Sequence, residues 1–391
     1  MRVIVGTRGV VILAFCLLVQ ACGQIDDYML GKDNTPEPTP LSVLSLKETW
    51  SVNWTAVLGK PSKTSTYLKL KPVLQGNRVY VAHANGLVQS IHASSGKIVW
   101  STVLPLGVVS GPTVSEGAVV VGTTRSKVAI LRQSDGQEQK ELAISGDALS
   151  KPLISQHKLF IKTIDGYLVA FDLKTGNKLW GAEHGSPSLM LKASASPVLM
   201  DKLLLVGFSD GKLDAIDRDT GRVIWQRSIA YASGVSDVER LVDIDADPIV
   251  RGDLVYLASY QGYIGALSLS TGQFVWRKPG SVYKNMAMDA STLYVTDSED
   301  VIWAFDRLTG QVKWKQLALK ARGVTEPILL GHRLIVGDKS GYLHVLSTQQ
   351  GTLVSRVALN GPIEIAPVAS KRSVYVMTAN GELTRLSVRG T

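Results

Sequence analysis

Three stretches of the chain spell nearly the same phrase: AFDLKTGNKLW at 170–180, AIDRDTGRVIW at 215–225 and AFDRLTGQVKW at 304–314. Each sets an apolar pair, a polar turn closed by Thr-Gly and a tryptophan in the same order. A phrase that returns at a fixed interval marks a repeat architecture, and the interval decides which one. The turn glycine falls at Gly96, Gly136, Gly176, Gly221, Gly272, Gly310 and Gly351, with spacings of 40, 40, 45, 51, 38 and 41 residues. Ten residues earlier stand Gly86, Ser126, Gly166, Gly211, Gly262, Asp300 and Gly341; four residues later stand Trp100, Lys140, Trp180, Trp225, Trp276, Trp314 and Ser355.

Every unit also opens through a proline, at Pro72, Pro112, Pro152, Pro197, Pro248, Pro327 and Pro367, with Ala287 in its place in the sixth. Proline at the start of a strand costs no ladder hydrogen bond. The unit therefore reads as four short antiparallel strands joined by tight turns, and its length matches the ~40–45 residues of a four-stranded propeller blade. No stretch after Trp50 keeps a helical period, so the chain is all-β. The last unit starts at Pro367 and passes Gly381 without a fourth strand, whereas ETWSVNWTAVLG (48–59) offers an outer-type strand carrying Trp54. The expected fold is an eight-bladed β-propeller whose ring closes when this N-terminal strand pairs into the last blade, removing the exposed sheet edges of an open array. Trp54, Trp100, Trp180, Trp225, Trp276 and Trp314 are expected to pack between blades. Lys140 and Ser355, where the tryptophan is missing, are expected to mark weaker docking.

At 391 residues, 45% hydrophobic and 19% charged, the chain has the balance of a globular protein with a large core. Its N-terminus reads differently. Arg2 and Arg8 flank an apolar run, Val10 to Val19, that is too short to span a bilayer and fits a secretory signal over residues 1–21. The run ends in LVQAC, which resembles the bacterial lipobox. That resemblance implies that Cys22 is the first mature residue and carries lipid on its sulfur and amine. Several acyl chains together hold a membrane stably where one would not. Cys16 lies in the discarded segment, so no disulfide is available to the mature chain. By the lipoprotein sorting rule, Gly23 after the cysteine implies the outer membrane. Residues 22–46, with PEPTP, read as the lipidated cysteine and an extended, poorly ordered tether, and 47–391 as the propeller. Loss of two arginines with the signal lowers the formal charge from +9 to +7, with no Lys/Arg block and hence no nucleic-acid footprint.

The tryptophan phrase resembles the docking repeat of quinoprotein-type eight-bladed propellers; WD40 repeats fit less well, since no tryptophan here precedes an aspartate. Taken with the lipobox, the tether and the compact blades, the whole chain resembles the propeller lipoproteins of the outer-membrane β-barrel assembly machinery. The resemblance implies a non-enzymatic, cofactor-free scaffold on the periplasmic side of the outer membrane. Its partners would be the POTRA domains of the barrel-forming subunit and unfolded outer-membrane proteins.

Two insertions break the blade rhythm, GAEHGSPSLMLKASASP (181–197) and YASGVSDVERLVDIDADP (231–248). Both precede an inner strand, so they emerge at the same face on neighbouring blades. The first resembles the family's S-L-x-L-[RK] loop, which implies partner contacts by Leu189, Leu191 and Lys192. The second resembles its E-x-x-R-L-x-D-x-D stretch, which implies a partner-facing role for Arg240, Asp243 and Asp245. Lys192 stands where the family often has arginine and keeps the charge without the bidentate fork. From the residues alone, leucines tucked under their own loop and aspartates capping turns are the favoured reading.

Catalytic patterns are weak. GFSDG (207–211) has the spacing of a nucleophile elbow, but it aligns with ASYQG (258–262) and KTIDG (162–166), which read as hairpin turns, so Ser209 is not expected to be a nucleophile. The histidines at 83, 92, 157, 184, 332 and 344 lack zinc spacing. Asp243, Asp245 and Asp247 alternate as in calcium loops but lack the EF-hand glycine and closing glutamate, and no metal site is expected. Two alternatives stay open: a quinone-cofactor dehydrogenase-like propeller, disfavoured because such enzymes typically place neighbouring cysteines beside the cofactor, and a periplasmic propeller that senses a small ligand in its central funnel.

Overall fold

A computed structural model describes residues 36–45, 47–59, 68–187, 195–230 and 241–389, and these form strands and turns without a helix. Eight four-stranded antiparallel sheets make up the fold. Blades 1 to 7 follow the chain, over residues 73–103, 108–143, 153–183, 198–228, 249–280, 287–316 and 328–358. Blade 8 takes three strands from 368–388 and its fourth from Trp50–Val57, in register from Trp50 opposite Val388 to Val57 opposite Glu382. This is the eight-bladed propeller, with the N-terminal closure, that the repeat spacing predicts.

Burial is deepest in the second and third strands of a blade, partial in the first and least in the fourth, and the sequence follows it. Second strands such as LLLVG (Leu203–Gly207) are buried along nearly their whole length, so both faces are apolar. Fourth strands such as VKWKQ (Val312–Gln316) are exposed except at alternate positions, so they alternate.

The repeated phrase builds the blade-to-blade joint. Asp172 Oδ1 accepts hydrogen bonds from the Thr175 amide (2.6 Å) and hydroxyl (2.8 Å), and Asp217 and Asp306 do the same for Thr220 and Thr309. These donors hold the three carboxyls below the usual aspartate range. The turn closes through a left-handed glycine, Gly221 at φ +74°. Trp180 of blade 3 then lies on that glycine in blade 4, where a Cβ would sit 2.5 Å from the indole Cε3, and its Nε1 donates to the Arg218 carbonyl at 3.0 Å. The same bond, to the carbonyl three residues before the glycine, is made by Trp54, Trp100, Trp276 and Trp314. Trp225 departs from the series: Arg227, not the indole, covers Gly272. Lys140 lays its aliphatic stem against Gly176 in place of a ring.

At the other position without a tryptophan, the N-terminal segment fills the gap. Ser355 donates to the Glu48 carbonyl (2.9 Å), and Trp50 joins the core between blades 7 and 8 with Val345, Val354 and Val376. The segment expected to be an open tether through residue 46 is seated from Thr39 onward. Thr39 bonds Lys320 and Arg322, Arg356 donates to the Ser42 carbonyl (3.1 Å), and Leu41 packs against Tyr294, Val324 and Leu334.

Candidate functional site

Inner strands of a propeller line its axis, so the residues just before each opening proline gather at one end of that axis. The two insertions enter this end from adjacent blades. Of the expected partner-binding residues, Leu189, Leu191, Lys192 and Arg240 lie outside the described residues, as does Cys22. The bases of both loops are described.

Asp243 and Asp245 are 0% and 1% exposed. The stretch Val242-Asp243-Ile244-Asp245 has no solvent face: Ile244 enters the apolar cluster of blades 4 and 5 beside Leu205, Leu213 and Leu257. The aspartates lie within the electrostatic reach of Lys69 and Lys162. Burial, and then Asp243, push the Asp245 carboxyl well above the carboxylate range, opposed by Lys69 and Lys162. Neither Asp245 carboxylate oxygen has a hydrogen-bond partner among the described residues. Burial brings Lys162 down to about 8 despite these aspartates, and its Nζ donates to the Gly207 carbonyl. Asp243 and Asp245, for which the resemblance implied a partner-facing role, are thus carboxylates placed beneath the surface.

Asp247 was noted in the sequence only for its spacing, yet it is where the elements meet. Its Oδ1 receives Lys69 Nζ (3.0 Å) and the Ser196 amide (2.6 Å). Asn285 brackets it, its Oδ1 accepting from the Asp247 amide (2.7 Å) and its Nδ2 donating to Oδ2 (3.3 Å). Lys69 also donates to the Asp245 carbonyl (2.7 Å). Lys69 precedes blade 1, Ser196 blade 4, Asp247 blade 5 and Asn285 blade 6, so blades 1 and 5, opposite each other in the ring, are joined across the axis. Burial works against the Asp247 carboxylate, but Lys69 and Ser196 outweigh it and hold the group below its usual range. A second pair, Lys71 to Glu326 at 2.6 Å, adds to this collar.

The first loop is anchored at its other base by His184. Its Nδ1 lies 2.7 Å from Asp214 Oδ2 and its Nε2 3.1 Å from Asp210 Oδ1, and its ring stacks on Phe208 at 3.8 Å and 4°. Burial would lower the histidine's pKa, but the two aspartates raise it to about 9, and Asp210 falls to about 2. A raised histidine contributes its full stabilisation below about 6.5 and loses it as pH rises through about 9. The denaturation midpoint is therefore expected to fall between pH 7 and 10. His184→Gln should remove on the order of 1–2 kcal/mol of that fall, the figure being discounted for solvent at the loop base. A parallel pH profile in the variant would count against the anchor.

Sequence reasoning missed Lys69 and Lys162 and read Asp247 for its spacing alone. Lys162 had a signal: the same offset from the turn holds Ala82, Gly122, Gly207, Ala258 and Gly337 in other blades. Lys69 had none, being 176 residues from Asp245. Ser209 sits in the hairpin between Leu203–Gly207 and Lys212–Asp217, as expected, and not on a strand-to-helix elbow. Among the described residues no three His, Cys, Asp or Glu side chains could share a metal ion.

Known proteins agree with this architecture. The family profile described as "Outer membrane protein assembly factor BamB" matches residues 43–139, 107–316 and 319–391. A protein of that name from Legionella pneumophila (strain Paris) is 54% identical over 379 residues, covering 97% of this chain and 99% of its own. The crystal structure of BamB from Moraxella catarrhalis superimposes with a TM-score of 0.78 at 24% identity, over 87% of this chain and all of that one. The quinohemoprotein alcohol dehydrogenase ADHIIG from Pseudomonas putida reaches 0.72 over 89% of this chain and 77% of its own, but at 12% identity it shares the fold alone. By its profile, its near-complete overlap with a relative at such identity and its eight blades, the chain belongs to the BamB family of outer membrane protein assembly factors.

Proposed function

We propose that the protein is a lipid-anchored scaffold of the outer-membrane β-barrel assembly machinery, held by Cys22 and facing the periplasm, and that it docks the POTRA region of the barrel-forming subunit through its two loops. In this reading Leu189, Leu191, Lys192 and Arg240 make the contacts, and Asp243 and Asp245 hold the second loop from below. Exposed leucines on a loop favour a partner, and charges at the rim select it. The observation that supports the reading is that the C-terminal bases of the two insertions lie on adjacent blades and share a bond, Ser196 to Asp247. Blade edges would be left to hold unfolded barrel strands by β-addition.

The family is one of assembly factors rather than enzymes. A small ligand or quinone entering the funnel at this end would meet Lys69 and its partners already spanning the axis.

Co-purification from native membranes tests the docking. Leu189→Ala with Leu191→Ala should weaken recovery of the barrel-forming subunit about tenfold or more, the size expected of interface anchors, without changing the fold. Unchanged recovery would refute the site. A quinone chromophore retained on purification would overturn the scaffold reading.

A further inference from the structure

We infer that Asp247 and Lys69 are positioning residues that make the two loops a single docking unit. The first loop ends at Ser196, and the second ends at Asp247. The carboxylate of the second accepts the backbone amide of the first at 2.6 Å, so the two C-terminal bases are tied by a bond rather than by proximity. Lys69 then fixes that carboxylate from across the ring. Its side chain is 8% exposed, and it makes two contacts at once, to Asp247 Oδ1 and to the Asp245 carbonyl. A carbonyl and a carboxylate two residues apart, both on one ammonium, define the course of residues 245–247 more tightly than either alone.

The neighbouring residues leave the segment few other courses. Gly207 has no Cβ because Ile244 lies against it: an added Cβ would come 2.9 Å from the Ile244 Cβ. Lys162 Nζ caps the Gly207 carbonyl next to it, under the aspartates. Asn285 closes the fourth side. Segment 241–247 is therefore held by its own packed Ile244 and by a lysine from the opposite blade, while Ser196 at the base of the first loop bonds the same carboxylate. Displacing either loop strains the bond to the other. Such coupling is reciprocal, so a partner that binds one loop steadies both.

The binding arm of this inference rests on the docking reading above; the exchange arm does not. Hydrogen–deuterium exchange on the full mature chain tests it with Asp247→Asn, which keeps an acceptor for the Ser196 amide but loses the charge facing Lys69, with Asp247→Ala, which loses both, and with Lys69→Met. Asp247→Ala is expected to raise exchange by about tenfold in both 186–197 and 231–247 and to weaken binding to purified POTRA domains by about tenfold, within the usual span of coupling factors. Asp247→Asn and Lys69→Met should raise it mainly in 231–247, and Lys69→Arg, which restores the cation, should return most of the protection. Faster exchange confined to 241–248 in Asp247→Ala, with 186–197 unchanged, would overturn the coupling, as would failure of Lys69→Arg to restore it. If exchange rises in both loops while Leu189→Ala with Leu191→Ala leaves POTRA binding intact, the docking reading fails and the coupled unit stands.

Discussion

Gly221→Val is expected to destabilise the propeller by roughly 2–6 kcal/mol, read as a shift in the denaturation midpoint. Two independent costs add. A β-branched residue at φ +74° pays about 1–3 kcal/mol for the left-handed backbone. Its Cβ would also sit 2.5 Å from the face of Trp180, and forcing atoms into a packed joint costs a further ~1–3 kcal/mol. The two can be separated. Gly252 has φ +60° but nothing within 4 Å of its Cβ position, so Gly252→Val should cost only the backbone share. Removing the ring should relieve the steric share, so Gly221→Val with Trp180→Ala should lose less than the two single changes summed. Strict additivity would mean that the indole is not seated on the glycine.

That joint explains why the fold was legible. Asp, Thr, Gly and Trp stand in one phrase because the aspartate caps the turn, the glycine makes it and the previous blade's tryptophan lies on it. Each requirement leaves a letter at a fixed offset, and seven turn glycines with the unfinished last unit suffice to count blades. Where glycine is replaced in the other turn, Ser126 and Asp300 still take φ of +54° and +66°, so the backbone outlasts the letter. The burial of Asp243 and Asp245 was not legible for the opposite reason. Their fate depends on Lys69, which lies beside them only after the ring has closed, and no local pattern carries that information. The N-terminal segment mixes both cases. PEPTP reads as tether, and the gap at Ser355 marks a missing ring, but that Trp50 and Leu41 would be drawn into blades 6 to 8 follows from closure alone.

Trp225 supplies the sharpest separation of phrase from structure. By sequence it equals Trp276, and both should cost the same to truncate. In the fold, Trp276 is 8% exposed, rests on Gly310, stacks on Phe305 and donates to the Arg307 carbonyl at 2.8 Å. Trp276→Ala is therefore expected to cost about 3–5 kcal/mol, the price of a packed aromatic. Trp225 is half-buried, makes no backbone hydrogen bond among the described residues, and finds Arg227 on Gly272 and 5.6 Å from its own ring. Trp225→Ala should cost less, about 1–2 kcal/mol, from the cation–π contact and the packing of its half-buried ring against the core of blades 4 and 5. Chemical denaturation of both variants decides it, and equal losses would refute the distinction. The seam so loosened lies between blades 4 and 5, where Ile244 and Asp247 descend from the second loop. Ile244 enters the same core that Trp225 packs against, so the base of that loop adds to the joint here.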